Sequence, residues 1–304
     1  MSRTRQLIAR LRDDLGRSAP MPAAPPMPRI PEPPARVFPR RQEGSRYARE
    51  AAQHTTALLG IGHVGTRYAT DVVLQFQAEL AVAHEAVAAE LPEDWATRNG
   101  LIGLRSRVRD HREFLLRPDL GRRLDDESLA RWKQVGKRGV DVQPILADGL
   151  SAVACMQSGL ALLESFTKAC QTRGLTVGVP VVARHARVWL EDEIGATVGA
   201  QVAAILLGER PGLGTGDGLS AYLVHDPKIG NTDGQRNMMS NIHARGTRPE
   251  VAGERLAVLA RAMVDQKRSG VALDLSRLTA ELGEAASRAH RAPEVRVRLV
   301  EVQK

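Results

Sequence analysis

The chain has 304 residues, 43% of them hydrophobic, which is enough for a buried core and argues against a wholly disordered protein. Aromatic residues make up only 3%, so the core must be built from Ala, Val and Leu, and an aromatic platform for stacking single-stranded nucleic acid is not expected. The formal net charge is +8, but Arg and Lys are interspersed with acids and form no long basic run. Mixed solvated faces, or a surface for an acidic protein partner, account for that charge without nucleic acid.

Residues 1–18 read as an amphipathic helix, with Ile8, Leu11 and Leu15 three to four apart among Arg and Asp. Residues 19–43 are dense in proline and form neither helix nor central strand, so they read as a stiff linker. A helix on such a tether is either a docking device or a bare extension. No apolar stretch approaches the roughly 20 residues of a membrane span. The N-terminus lacks the apolar core of a secretory signal, so a cytoplasmic protein is expected.

Residues 44–136 are expected to be a helical N-terminal domain. Between residues 45 and 90 the pattern is helical, with Val72, Val73, Phe76, Leu80, Val82 and Val87 as a core-facing stripe. Glycines at Gly60, Gly62 and Gly65 interrupt it, Thr66 or Thr70 can cap the second helix, and Pro92 ends it. Residues 101–124 look irregular and Arg-rich, and residues 126–135 read as another helix.

The period then changes. Strands are predicted at 140–147, 175–183, 202–207 and 220–225. Helices are predicted at 151–172, 191–198 and 249–269, with a loop running through Asn241. Alternation of this kind implies an α/β fold: a mostly parallel, Rossmann-like sheet flanked by helices, preceded by the helical N-terminal region. Residues 137–272 form this domain and residues 273–304 a C-terminal helical extension. Cys155 and Cys170 fall in one predicted helix, too far apart for a metal pair or a disulfide, and read as small buried hydrophobes.

Two loops follow predicted strand ends and would open on the same edge of a parallel sheet, where such folds build ligand sites. One is Asp148-Gly149-Leu150-Ser151, whose polar residues either greet a ligand or cap the following helix. The other is Gly208-Glu209-Arg210-Pro211-Gly212-Leu213-Gly214. It lacks the third glycine of a dinucleotide fingerprint and the Lys-Ser or Lys-Thr of a P-loop. Glu209 would repel phosphate but accept hydrogen bonds from amides or hydroxyls, unless it simply pairs with Arg210 or a neighbouring cation.

No hydrolase elbow and no metal-ligand spacing stands out, so neither catalytic nor metal-binding residues are assigned. Asn241-Ile242-His243-Ala244-Arg245-Gly246 is similar to the Asp-x-His-x-x-Gly motif that supplies a cobalt ligand in some cobalamin proteins. Asn replaces the Asp that would orient the imidazole, so His243 reads as a packing residue. The three arginines of Arg117-Pro118-Asp119-Leu120-Gly121-Arg122-Arg123-Leu124 either face water around a turn or form an interface with another chain.

These strings occur in one order, together with Asp141-Val142-Gln143, Arg187-Val188 followed by Glu191-Asp192 and Ile194-Gly195, and Ser240-Asn241-Ile242-His243. From about residue 56 to Leu273 the chain thereby resembles the small (light) subunit of ethanolamine ammonia-lyase. The resemblance implies a hetero-oligomer with a large barrel subunit. That complex would use adenosylcobalamin and radical chemistry to convert ethanolamine into acetaldehyde and ammonia. The small subunit would hold the cofactor at the subunit interface without supplying the cobalt ligand. Matched by motif, the family's cobalamin contacts fall on Val188, Glu209 and Met238. The family typically has cysteine where Met238 stands, and the Asp148 loop continues into Ala152-Val153, without polar residues expected there. A diverged, non-catalytic scaffold or assembly protein is the alternative reading. Residence within a bacterial microcompartment is a further implication of the family.

Overall fold

A computed structural model describes residues 63–214 and 216–276, together with Glu50, Leu278, Glu281 and Leu282. The helix expected at 1–18, the Pro-rich linker at 19–43 and most of the extension at 273–304 lie outside the described residues. A hairpin of β1 (His63–Val64) and β2 (Arg67–Tyr68) precedes helix α1 (Thr70–Ala88). After the single turn α2 (Trp95–Arg98) come β3 (Ile102–Arg105), α3 (His111–Leu116) and α4 (Asp126–Val135).

The sheet is built around two strands, β4 (Val142–Ala147) and β6 (Val202–Gly208), each buried along its whole length. Such continuous apolar runs suit parallel strands covered on both faces. β4 pairs in parallel with β6 on one side and with β5 (Val181–Arg184) on the other, and β5 pairs in parallel with β3. Beyond β6 the antiparallel strands β7 (Leu219–His225) and β8 (Arg236–Ile242) complete a six-stranded sheet of order β3-β5-β4-β6-β7-β8. The fold is mixed α/β with a mostly parallel sheet, as expected from the alternation of elements.

Period-two alternation divides the core into layers. Val142, Leu146, Val202, Ala204 and Leu206 face one side, where α6 (Leu160–Thr172) and α8 (Pro249–Gln266) pack through Leu162, Phe166, Leu256 and Met263. Ile145, Ala147, Ile205 and Leu207 face the other, beneath α4 and α7 (Leu190–Val198). There the Trp132 indole Nε1 donates to the carbonyl of Ile194 at 2.9 Å and ties α4 to α7. Cys155 and Cys170 are both buried and free. Among the described residues no helix is long and apolar enough to cross a membrane.

Several expectations are corrected. Residues 101–124 are not irregular: they contain β3 and α3, the latter capped by Asp110, whose carboxylate accepts from the Glu113 N–H at 2.9 Å. β3 thus joins the N-terminal segment to the same sheet as the residues after 137. The predicted loop before Asn241 is instead β8, an edge strand of polar sequence with a register shift opposite Leu219 and Ala221. The strand expected at 175–183 is confined to β5. Val177 makes only an isolated bridge to Val142, because Pro180 lacks the N–H a continuous ladder needs. The predicted long helix begins with α5 (Ala152–Ala154), passes through a π-turn at Cys155–Gly159 and continues as α6. Finally, α1 buries Val72, Glu79, Ala83 and Ala86 and half-buries Phe76, Val82 and Val87, so the stripe read from the sequence holds except at Val73 and Leu80, which are exposed.

At the carboxyl edge the loops after β4 and β6 touch backbone to backbone. A Cβ on Gly208 would lie 2.2 Å from the Ser151 carbonyl oxygen and 2.3 Å from that of Asp148. Gly149, in the left-handed region at φ 54°, meets the Gly208 carbonyl oxygen in the same way. Neither neighbour can yield, since both are main chain. Gly208→Ala should therefore cost about 3 kcal/mol. Gly218→Ala, with nothing within 4 Å of its Cβ, should stay within about 0.5 kcal/mol of the parent. Urea denaturation midpoints compare the two.

Candidate functional site

Three parallel strands end side by side at this edge: β5 at Arg184, β4 at Ala147 and β6 at Gly208. Asp148, the first residue beyond β4, does not cap the helix that follows. Its Oδ2 accepts from the His185 N–H at 2.8 Å and its Oδ1 from the Ala186 N–H at 3.3 Å. The cap is Ser151, whose Oγ accepts from the Ala154 N–H at 3.1 Å and donates to the Gly216 carbonyl at 3.1 Å. Asp148 therefore fastens the turn after β5, and Ser151 fastens the glycine loop after β6.

His185 sits in that turn at φ 53°, a conformation unusual for a side chain this large. Its carbonyl accepts from Ser106 Oγ at 2.7 Å, and its buried ring lies 5.9 Å from that of Phe114. Among the described residues neither ring nitrogen has a hydrogen-bond partner, although Nε2 is 3.7 Å from Glu90 Oε2. Burial, only partly countered by Glu90, pulls the imidazole down from 6.5 to about 4. Burial also lifts the Asp148 carboxyl from 3.8 to about 6, against the pull of its backbone N–H donors.

Val188 and Glu209 follow β5 and β6. Val188 lies in the turn that starts α7, half-buried on the α4/α7 layer with its carbonyl accepting from the Glu191 N–H at 3.1 Å. Glu209 is half-buried, and among the described residues it forms no ion pair with Arg210 or any other cation. Its Oε1 instead accepts from Tyr222 Oη at 3.4 Å. Met238, 50% exposed on β8, is the cross-strand partner of Tyr222. Glu209 and Met238 are thus brought together through a tyrosine that the sequence reading did not single out, and Val188 packs on the same core layer as that tyrosine. Burial, reinforced by the Glu209 carboxylate, pushes the Tyr222 phenol up to about 12, so it remains a hydrogen-bond donor.

The floor beneath this face is ionic. Arg236 of β8 is buried with Glu191 and Asp192 of α7, at 2.5 Å and 2.6 Å. Asp192 also accepts from Asn231 Nδ2 at 3.4 Å. Desolvation raises both carboxyls, and Arg236 opposes that rise. The other acid of the α7 first turn, Glu193, accepts from Arg123 at 2.8 Å and from the Leu124 N–H at 2.6 Å. His243 is spent locally: Nδ1 accepts from the Arg245 N–H at 3.2 Å, so Nε2 carries the proton and donates to Asn241 Oδ1 at 2.7 Å.

The family model described as ethanolamine ammonia-lyase light chain (EutC) matches residues 46–274. A protein of Fusobacterium nucleatum subsp. nucleatum, named ethanolamine ammonia-lyase small subunit, is 37% identical over 235 residues, covering 77% of this chain and 78% of its own length. The chain belongs to the ethanolamine ammonia-lyase light chain family. Most of the region so matched is the α/β domain described above, including all three strand-end loops of the candidate site.

A light-chain member was legible from its loop strings, whereas Tyr222 was hidden inside an ordinary strand pattern. The only advance signal for it would have been strand register, which sets Tyr222 opposite Met238.

The strand-end pair also carries a pH signature. Asp148, with its carboxyl raised, adds stability that is complete below pH 3.8 and lost as pH rises through about 6. His185, with its imidazole lowered, adds stability that is complete above pH 6.5 and lost as pH falls toward about 4. The two slopes oppose each other in the chain as it stands. In Asp148→Asn, stability relative to the parent should rise by about 1.4 kcal/mol per pH unit across the window between those limits. Urea unfolding at a series of pH values would measure this, and parallel curves for the two proteins would refute it.

Proposed function

We propose that this chain is the cobalamin-holding small subunit of an ethanolamine ammonia-lyase, and that Val188, Glu209 and Met238 face the cofactor where a large catalytic subunit closes over it. The observation that carries the reading is Glu209: a half-buried carboxylate at a strand end, without a cation partner among the described residues, held by Tyr222. Such a group is an acceptor waiting for N–H donors. The amides that ring a corrin are donors of that kind. Met238 and Val188 add a thioether and an aliphatic surface suited to the apolar body of the ring. The donor set therefore fits cobalamin, and His243, with both nitrogens engaged within its own loop, is not offered to a ligand.

When bound, adenosylcobalamin supplies the radical that removes hydrogen from the substrate. The work of this chain is to bind and orient. The Glu209 carboxylate would accept the ring's amides, with Tyr222 keeping the carboxylate aimed. Val188 and Met238 exclude water from the contact. The complex converts ethanolamine into acetaldehyde and ammonia, with the substrate site on the large subunit.

Glu209→Ala, in the two-subunit complex, should weaken cobalamin binding about tenfold, as expected for loss of an acceptor of buried amide hydrogens. Spectroscopic titration reads this directly, and an unchanged affinity removes Glu209 from the site. Co-production with the large subunit, followed by addition of adenosylcobalamin and ethanolamine, should yield acetaldehyde. The purified chain alone should release no ammonia. Turnover by the isolated chain would overturn the division of labour, and a complex that binds cofactor without turnover would favour a scaffold role.

A further inference from the structure

Some arginines around the carboxyl edge meet a carboxylate and others do not. Arg117, Arg123, Arg184 and Arg236 each meet a carboxylate: Asp119, Glu193, Glu90, and the pair Glu191 and Asp192. Arg122, Arg187 and Arg210 meet none among the described residues. These three lie close together in the fold. Arg187 and Arg210 leave the ends of β5 and β6, and Arg122 belongs to the 3-10 turn whose Gly121 carbonyl accepts from the Arg187 N–H at 2.8 Å.

Aromatic faces hold two of the three guanidinium groups in place. Arg122 lies 4.2 Å from the centre of the Trp189 ring. Arg187 lies 4.1 Å from the centre of the Phe114 ring, and its Nη2 donates to the Phe114 carbonyl at 2.8 Å. The buried Nε of Arg187 has no hydrogen-bond partner among the described residues. Burial, followed by repulsion from Arg122 and Arg210, holds the Arg187 guanidinium below its ordinary range. Like charges crowded in this way, with one of them partly desolvated, are destabilising until an anion joins them.

The acids of the α7 first turn do not serve as that anion, and Glu209 forms no ion pair with these arginines among the described residues. Glu191, Asp192 and Glu193, the acids of the α7 first turn, are committed to Arg236 and Arg123. The N–H groups of Val188 and Trp189 at the start of the same helix make no hydrogen bond among the described residues. Guanidinium forks and free N–H donors at a helix entry match the oxygens of a phosphate group.

We propose that Arg122, Arg187 and Arg210 form a phosphate subsite adjoining Glu209, taking the oxygens of a phosphate ester. The subsite rests on the cobalamin reading, because the nucleotide tail of cobalamin carries a phosphodiester while its corrin carries amides. Glu209 and the arginines thus divide one ligand between them, the acid taking amides and the cations taking the anion. A free phosphate would meet the same chemistry, and the experiment separates the two sources.

The test uses the two-subunit complex with Arg122→Gln, Arg210→Gln and the double variant, in which the exposed side chains carry little folding risk. Affinity is measured by titration for hydroxocobalamin and for cobinamide, which keeps the corrin but lacks the nucleotide tail and its phosphate. The double variant should bind hydroxocobalamin about tenfold or more weakly, with cobinamide changed by less than about twofold. Equal weakening of both corrinoids, or no weakening of either, overturns the proposal. Loss of co-purification with the large subunit also overturns it, by assigning the arginines to acidic side chains of the partner. If the parent complex binds neither corrinoid, the cobalamin reading fails by itself. The subsite then stands or falls on whether inorganic phosphate raises the melting temperature of the parent and not that of the double variant.

Discussion

The buried carboxylate of Asp148 is the constraint on which the carboxyl edge depends. It reaches from the end of β4 across to β5 and takes the N–H groups of His185 and Ala186, two donors that no strand partner satisfies. Those bonds hold His185 in a left-handed conformation that its side chain disfavours. The same turn sets where Arg187 meets Phe114, where Val188 enters the turn before α7, and where Trp189 receives Arg122. On the other side, Gly149 and Gly208 press the loops after β4 and β6 together. The strand ends act as one unit because a single acid and a glycine contact join all three.

Charge is layered around that unit. Acids of the α7 first turn point inward, where Arg236 and Arg123 neutralise them, so the helix entry shows its backbone rather than its carboxylates to the outside. Breaking such a buried group by removing one partner strands the others in a medium that solvates them poorly. The outer layer is left with Arg122 and Arg187 on the β5 side and with Glu209 beside Arg210 on the β6 side. A net charge of +8 spread over the whole chain therefore says less than this local arrangement of charges.

How much was legible beforehand depends on where each element obtains its partners. β4, β6 and α7 were readable because their apolar runs and periods are properties of the segments themselves. β3 and β8 were not: β3 has four residues, and β8 reads Arg-Asn-Met-Met-Ser-Asn-Ile, a sequence that becomes a strand only because β7 lies beside it. The face that α1 buries was read only in part, because Ala83 and Ala86 complete it while Val73 and Leu80 stay outside. Glu209 announced itself as a carboxylate ending an apolar strand. Tyr222 and Arg187 did not, since one is defined by cross-strand register and the other by a phenylalanine 73 residues earlier.

The two cysteines carry a consequence for handling the protein. Both lie in the helical layer on the α6/α8 side, Cys155 in the π-turn and Cys170 near the end of α6, and both are fully buried. Burial drives the Cys170 thiol up to about 12 and that of Cys155 well above its usual range, so neither supplies thiolate near neutrality. These are the only cysteines in the sequence, and the exposed sulfur at the candidate site is the thioether of Met238. Native protein should therefore react slowly with thiol-alkylating reagents. Oxidation of the exposed Met238 thioether yields a sulfoxide, a lesion that is enzymatically reversible and forms no cross-link.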